Sequence, residues 1–381
     1  MRVIISAAGT GGHINPGIAI ANKIKEKEPD SEIVFFGTNR GLENDLVPRA
    51  GYELKRIEAY GFKKELSIKN IRHILQTIHS KEEVKKFIDS FKPDIVIGTG
   101  GYICGPVFAA AISKKIPTVL HESNAYPGKA VKMFAKNADL VLVGFKEAKS
   151  KLTNAKKVVV TGTPTKVRKL NISEERKNEI LKELGIKTKL PIVLVFGGSQ
   201  GAKVINEAVQ KLVEKKLNKD YQIIWATGPK QFDDIKEAFE KADMYINSIP
   251  KVKIVPYIYN MEEMMNIADL FICRSGAMTI TEIAIVGKPA IFIPLPSKSA
   301  NRQEDNARVL EKIGAAKIIL NKELNEINLS EAIDKVIDKK SELDEMGRLA
   351  NTIAPKNVEE KIYKEIKQIL KVLSIKQPIL A

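Results

Sequence analysis

The sequence predicts an α/β protein made of two parallel-sheet domains. Three observations carry that expectation. Short apolar runs alternate with helical patterns along the whole chain, as parallel strands joined by crossover helices require. A strand, a glycine-rich loop and a helix open the chain at residues 3–16. The same device returns at 191–202, after a lysine-rich, poorly patterned stretch at 163–172. A repeat of that kind reads as two similar domains rather than one long sheet.

In order, Val3, Ile4 and Ile5 form the first buried strand, and Pro16 leads into a helix carrying Ile18, Ala19, Ala21 and Ile24. The second strand is 32–37. Residues 62–92 interleave Lys and Arg with Phe62, Leu66, Ile68, Ile71, Ile74, Leu75, Ile78, Phe87 and Ile88. Strands at 94–98 and 117–120 open into the loops 99–106 and 121–124, and strands at 140–143 and 158–160 close this half. The second half has strands at 191–196, 223–228, 270–273 and 290–294. Ile205, Ala208, Val209 and Leu212 mark the helix after its glycine loop. From about Pro355, the apolar residues Val358, Ile362, Ile366, Ile369 and Leu370 recur at helical spacing under a basic outer face. The expected division is 1–162, 163–354 and a terminal helix at 355–381.

At 381 residues there is room for two cores. The net charge of +16 favours anionic partners: nucleic acid, anionic lipid or a phosphorylated ligand. Its lysines are spread along the chain, so the charge also fits a surface that only confers solubility. Aromatics are 6% and no basic run interleaves with them, which argues against a nucleic-acid-binding module. Cys104 and Cys273 stand far apart, with neither a disulfide framework nor zinc spacing, and suit a reducing cytoplasm. The N-terminal apolar run stops at Ser6, too short for a signal peptide. No stretch approaches the ~18 apolar residues of a membrane span. A cytosolic protein, at most peripheral to a membrane, is expected.

The opening loop fails twice as a dinucleotide site. Ile14 stands where a third glycine is needed, and the second strand ends Phe36-Gly37-Thr38 without an acidic residue. His13 remains. An imidazole with a pKa near 6.5 in a glycine-lined cleft can take a proton at neutral pH, although a lone histidine is more often structural. Gly100-Gly101-Tyr102 and His121-Glu122-Ser123-Asn124 also follow strands. In an open parallel sheet the crevice at the strand C-terminal ends binds ligands. There Glu122 is otherwise a helix-end charge and Asn124 a cap.

In the second half, Gly197-Gly198-Ser199-Gln200-Gly201 can cradle a phosphate with backbone N–H groups, the helix N-terminus and Ser199. Glu282 lies one turn into a helix starting near Thr279, where its carboxylate could accept two hydrogen bonds from a ribose diol. The spacing fits a capping box equally well, with Thr279 as N-cap. The polar run 301–307 follows another strand end and by itself is a solvated helix start.

Taken together and in this order, these segments resemble the MurG family of N-acetylglucosamine transferases. The matching pieces are Gly9-Thr10-Gly11-Gly12-His13 with Pro16, Ala19 and Ala21; Thr99-Gly100-Gly101-Tyr102; His121-Glu122 with Asn124; Gly197–Ala202; Cys273–Ala277 with Thr279 and Glu282; and Gln303 with Asn306-Ala307. They span nearly the whole chain. The resemblance implies a GT-B glycosyltransferase, two Rossmann-like domains facing a central cleft. It implies inverting, metal-independent transfer of GlcNAc from UDP-GlcNAc, with no cofactor. The acceptor would be the 4-hydroxyl of undecaprenyl-pyrophosphoryl-MurNAc-pentapeptide (lipid I), giving lipid II for peptidoglycan synthesis. The enzyme would be peripheral on the cytoplasmic face of the cell membrane, its N-terminal domain holding the acceptor and its C-terminal domain the donor.

By the same resemblance, Ser199 and its loop bind the donor phosphates, Ile258 pairs with uracil through its backbone, Glu282 takes the ribose hydroxyls and Gln303 the sugar hydroxyls. Thr10, Gly11, Gly12, Asn124, Ala277, Met278 and Thr279 would complete the donor side. Tyr102, His121, Glu122 and Asn206 would serve the acceptor side, with His13 as general base. Some positions depart from the family. Ala8 stands for a usual glycine, and the loop 296–300 with Arg302 is unusual. Lys166 occupies the place of an expected arginine, so either Lys166 or Arg168 would contact the diphosphate. Basic and apolar residues at 62–88 would meet the anionic leaflet, or else form an amphipathic helix on their own sheet. A UDP-GlcNAc 2-epimerase or a lipid glucosyltransferase on the same fold is the alternative.

Overall fold

The computed structural model describes residues 1–60, 67–186, 190–297 and 302–376. The chain divides into unit 1, Met1–Thr165 with Pro355–Ala381, and unit 2, Lys166–Ala354. The division falls after Thr165 rather than after 162. Thr163 and Thr165 are buried in unit 1, so they belong to its body and not to a linker.

Unit 1 holds a seven-stranded parallel sheet. Its strands are β1 (Arg2–Ala7), β2 (Glu32–Gly37), β3 (Glu53–Arg56), β4 (Ile95–Gly100), β5 (Thr118–Glu122), β6 (Leu140–Val143) and β7 (Val158–Val160). The order is β3-β2-β1-β4-β5-β6-β7, so the winding reverses between β1 and β4. That reversal opens a crevice at the strand C-terminal ends. The β1–β4 register shifts between Ser6 and Ala7, where both chains leave the sheet. The central strands are covered on both faces, hence their unbroken apolar runs.

The first helix is Gly11–Lys27. It begins before Pro16, which sits buried inside it rather than at its start. The carbonyl that Pro16 leaves without its i+4 N–H is that of Gly12, in the first turn. The terminal helix Val358–Lys376 packs on this first helix. Val358, Ile362, Ile366 and Ile369 join Ile14, Ile18, Ala21 and Ile24 in one core. Tyr363 Oη and Lys367 Nζ reach Glu28 at 2.9 and 2.8 Å.

The basic, apolar stretch is the helix Ile68–Phe91. Phe62 and Leu66, and the side chains of Ile68 and Ile71, lie outside the described residues. Val84 and Ile88 are buried against the sheet, while Ile74, Leu75 and Ile78, in the N-terminal half of the helix, are exposed. Among the described residues no helix is long and apolar enough to cross a membrane.

Unit 2 repeats the architecture with six parallel strands: β8 (Ile192–Phe196), β9 (Gln222–Ala226), β10 (Val252–Val255), β11 (Leu270–Cys273), β12 (Ala290–Phe292) and β13 (Ala316–Ile318). The order β10-β9-β8-β11-β12-β13 places its reversal between β8 and β11. Both cysteines are free and buried.

Candidate functional site

In unit 1 the chain leaves β1, turns at Gly9 with φ +97°, and enters the first helix at Gly11. Gly11, Gly12 and His13 are therefore the first helical turn, and Thr10 precedes it exposed, with no side-chain cap bond. His13 Nδ1 lies 3.2 Å from Ala8 O. A carbonyl only accepts, so this contact puts the proton on Nδ1 and makes Nε2 the basic nitrogen of the neutral ring.

The loop after β4 closes on the same imidazole. Gly100 has φ +115°, and a Cβ there would fall 2.5 Å from His13 Cδ2. At Gly101, φ +86°, it would fall 2.8 Å from Ala8 O. Thr99 Oγ1 donates to His13 O at 2.7 Å. These two glycines are thus required both by their backbone and by the histidine and loop that fill the space beside them. Tyr102 is exposed next to them.

Glu43 also belongs to this edge, and nothing in the sequence pattern singled it out. It heads the short helix Glu43–Arg49 and is fully buried. Its carboxylate accepts from Gly9 N at 2.9 Å, Thr38 N at 2.9 Å and Thr38 Oγ1 at 2.7 Å. Burial pushes its pKa up, but the hydrogen bonds from Gly9 and Thr38 outweigh it and hold the carboxyl below its ordinary value.

The β5 loop corrects two expectations. His121 is buried in the strand, Nε2 3.2 Å from Gly162 O, and desolvation pushes its pKa down to about 4. It is a neutral core histidine, not an acceptor contact. Glu122 is buried too. It accepts from Asn124 N and Nδ2, both at 2.8 Å, and from Gly128 N at 2.6 Å. Its carboxylate braces the turn that presents half-buried Asn124.

In unit 2, Ser199 is exposed on the loop after β8. The helix Lys203–Glu214 follows, with Ala202 as an N-cap that makes no side-chain bond. Asn206 lies buried inside the unit. Its Nδ2 donates to Thr227 O at 2.8 Å and Gln231 Oε1 at 3.0 Å, and its Oδ1 accepts from Trp225 Nε1 at 2.9 Å. An amide so engaged is not an acceptor-side contact, which corrects that expectation. Gln231 Nε2 in turn reaches Gln200 O on the glycine loop at 3.3 Å.

The helix after β11 is Ala277–Val286, with Gly276 as N-cap. Ala277, Met278 and Thr279 are its first turn and Glu282 lies in the second, half-buried. Thr279 is not the N-cap, so the capping-box explanation of Glu282 fails. Ser275 Oγ donates to Gln303 O at 2.7 Å, and Asn306 Nδ2 to Ser275 O at 3.2 Å. These bonds stitch the helix Arg302–Glu311 to the β11 loop and bring Gln303 to the same edge. Gln303 Oε1 accepts from Leu295 N at 2.9 Å.

Arg274 Nη1 donates to Ile293 O, Pro294 O and Asn321 Oδ1 at 2.8–3.2 Å, which leaves a half-buried cation at this strand end. Ile258 is buried between exposed Tyr257 and Tyr259. Lys166 and Arg168 are exposed at the start of the unit, and Arg168 N donates to Glu262 at 2.8 Å. Residues 298–301, part of the unusual loop, lie outside the described residues. Among the described residues no group of three or more His, Cys, Asp or Glu side chains could hold a metal ion.

Two doubly wound units each gather a glycine loop, a helix N-terminus and polar side chains at a strand-end edge, and each matches a domain model of a two-domain glycosyltransferase family. Residues 3–143 match the glycosyltransferase family 28 N-terminal domain, and residues 192–368 match the family 28 C-terminal domain. A protein of Acetivibrio thermocellus is 44% identical over 372 residues, covering 97% of this chain and 99% of its own. It is named UDP-N-acetylglucosamine–N-acetylmuramyl-(pentapeptide) pyrophosphoryl-undecaprenol N-acetylglucosamine transferase. The crystal structure of Acinetobacter baumannii MurG is similar with a TM-score of 0.77 and 27% identity, covering 96% of this chain and 99% of that one. The chain belongs to the MurG family of these transferases. UDP-GlcNAc 2-epimerase from Neisseria meningitidis shares the fold alone, at 16% identity and a TM-score of 0.63 over 97% of this chain and all of that one.

Proposed function

We propose that the protein transfers N-acetylglucosamine from UDP-GlcNAc to the 4-hydroxyl of undecaprenyl-pyrophosphoryl-MurNAc-pentapeptide, converting lipid I to lipid II. The observation that carries this reading is the 44% identity to a transferase of that name across 97% of the chain.

Unit 2 takes the donor. The loop with Ser199 and the first turn at Ala277, Met278 and Thr279 offer backbone N–H groups to the diphosphate, with Lys166 or Arg168 adding charge. Glu282 accepts from the ribose hydroxyls, Ile258 pairs with uracil, and Gln303 meets the sugar hydroxyls. Unit 1 takes the acceptor at the edge formed by His13 and Tyr102, with Thr10, Gly11, Gly12 and Asn124 at the donor sugar.

The muramyl oxygen attacks the anomeric carbon as the bond to the UDP oxygen breaks, so the configuration inverts. The hydroxyl proton passes to His13 Nε2, and a general base of this kind is worth about 10²–10⁴ in rate. Negative charge grows on the departing UDP. A helix N-terminus stabilises it by roughly 0.3–2 kcal/mol, and these donors are already in place before the reaction.

The exposed Ile74, Leu75 and Ile78 and the charge of +16 support docking on an anionic cytoplasmic membrane surface. Each well-placed Lys or Arg contributes about 1 kcal/mol there. UDP release tests the reaction: it is expected only when the lipid-linked acceptor is present. UDP release with free sugar in its absence would support an epimerase and overturn the proposal.

A further inference from the structure

Glu43 is a fully buried carboxylate on a segment that the proposed reaction does not use. Its position is built. At Gly37 a Cβ would fall 2.7 Å from Glu43 Cγ, and at Gly41 2.0 Å from Oε2, so both glycines make room for it. The carboxylate ties the loop after β2, through Thr38, to the loop after β1, through Gly9 N–H.

That N–H shares one planar peptide group with the carbonyl of Ala8. His13 Nδ1 sits against this carbonyl at 3.2 Å. Carboxylate, peptide and imidazole therefore follow one another through hydrogen bonds. We propose that Glu43 is the positioning residue of the base, acting on His13 through the Ala8–Gly9 peptide. This rests on the reading of His13 as the base.

The physical effect has two parts. A carboxylate accepting from Gly9 N–H polarises the peptide and makes Ala8 O a stronger acceptor. A stronger acceptor holds the Nδ1–H tautomer, which puts the basic lone pair on Nε2, and favours the imidazolium that forms on proton uptake. A carboxylate bonded directly to the imidazole does the same in hydrolase triads; here one peptide group stands between. Other titratable groups on the elements packed against the helix of His13 are Arg2 on β1, Asp45 and Arg49 on the helix Glu43–Arg49, Tyr102 and Cys104 beyond β4, and the charged side chains of the terminal helix. Glu43 is hydrogen-bonded to the peptide that His13 binds.

Glu43→Gln keeps the shape and removes the charge. Its kcat is expected to fall about tenfold or more. The acid limb of kcat/KM should move to lower pH by roughly half a unit to one unit, since the imidazolium loses a nearby negative charge. A Glu43 that only braces the loops would lower activity equally at every pH, and an unmoved acid limb overturns the proposal.

If Glu43→Gln does not fold, the wild-type enzyme still decides. The chain has four histidines, so imidazole ¹⁵N resonances can be assigned by difference with His13→Asn. The neutral ring of His13 should be the Nδ1–H tautomer, and the Gly9 amide should shift with the same midpoint as His13. An Nε2–H tautomer, or a Gly9 amide indifferent to that titration, overturns the relay. Full turnover by His13→Ala would remove the base reading while leaving the coupled resonances intact, so the two failures are distinguishable.

Discussion

Gly100→Ala probes how tightly the two loops of unit 1 hold the histidine. The substitution has two costs. The backbone at φ +115° disfavours any Cβ, by about 1–2 kcal/mol. The new methyl would also lie 2.5 Å from His13 Cδ2 and 2.9 Å from Nε2, where ordinary contact begins at 3.4 Å. The difference, 3.4 − 2.5, obliges the ring to retreat by about 0.9 Å. A misplacement of about 1 Å costs on the order of 10²-fold in rate.

Gly51→Ala separates the two costs. Gly51 has φ +82° with nothing within 4 Å of the added Cβ, so it carries the backbone strain alone. Calorimetry should show both variants losing a few degrees in Tm. In the transfer assay, Gly100→Ala should lose about 100-fold in kcat and Gly51→Ala less than twofold. Equal kcat values for the two would refute the claim that the glycine exists to admit the imidazole.

Other expectations follow from the same geometry. Glu282→Ala should raise the donor KM about 10-fold or more, since a hydrogen bond to a charged group is worth about 1.5–3 kcal/mol. An unchanged donor KM would refute the ribose contact. Asn206→Ala should cost about 1–3 kcal/mol by leaving Trp225 Nε1 unsatisfied. Trp225 is the one tryptophan of the chain, so its fluorescence reports the change directly. A raised acceptor KM at unchanged stability would contradict this. His121 is kept neutral, its pKa lowered from 6.5 to about 4. The unfolded chain therefore takes a proton that the folded one refuses. The His121 contribution to stability should be constant above pH 6.5 and shrink by about 3 kcal/mol between 6.5 and 4. His121→Gln should remove that slope in urea titrations at stepped pH, and a slope left intact would show that other groups cause it.

The central strands were legible because burial on both faces makes them continuous apolar runs. The edge strands β3, β10 and β13 were not. β3 reads Glu-Leu-Lys-Arg, half solvated at the border of its sheet, and β13 is three residues long. No apolar run is needed where one side meets water.

Helix starts were misjudged where glycine stands in the first turn. Gly11 and Gly12 read as loop because glycine is a poor helix former, and Pro16 as the helix start because proline favours the first helical turn. Gly276, an N-cap without a side chain, concealed the start before Ala277.

The candidate site residues at the strand ends were chosen by their order along the chain, which says nothing of side-chain direction. His121, Glu122 and Asn206 are polar residues beside strand-end loops whose side chains turn inward, and only the fold tells inward from outward. Glu43 was missed for the opposite reason. Its partners come from loops 34 and 5 residues away, and the only local sign was the pair of glycines, Gly37 and Gly41, that clear its space.

The most direct test is transfer of labelled N-acetylglucosamine from UDP-GlcNAc to lipid-linked MurNAc-pentapeptide, with NMR of the isolated product. The expected product is a β-linked disaccharide on the intact lipid carrier, formed by the wild type and reduced about 10²-fold or more in His13→Ala. A lipid fraction without label, or a product with retained α configuration, would contradict the account.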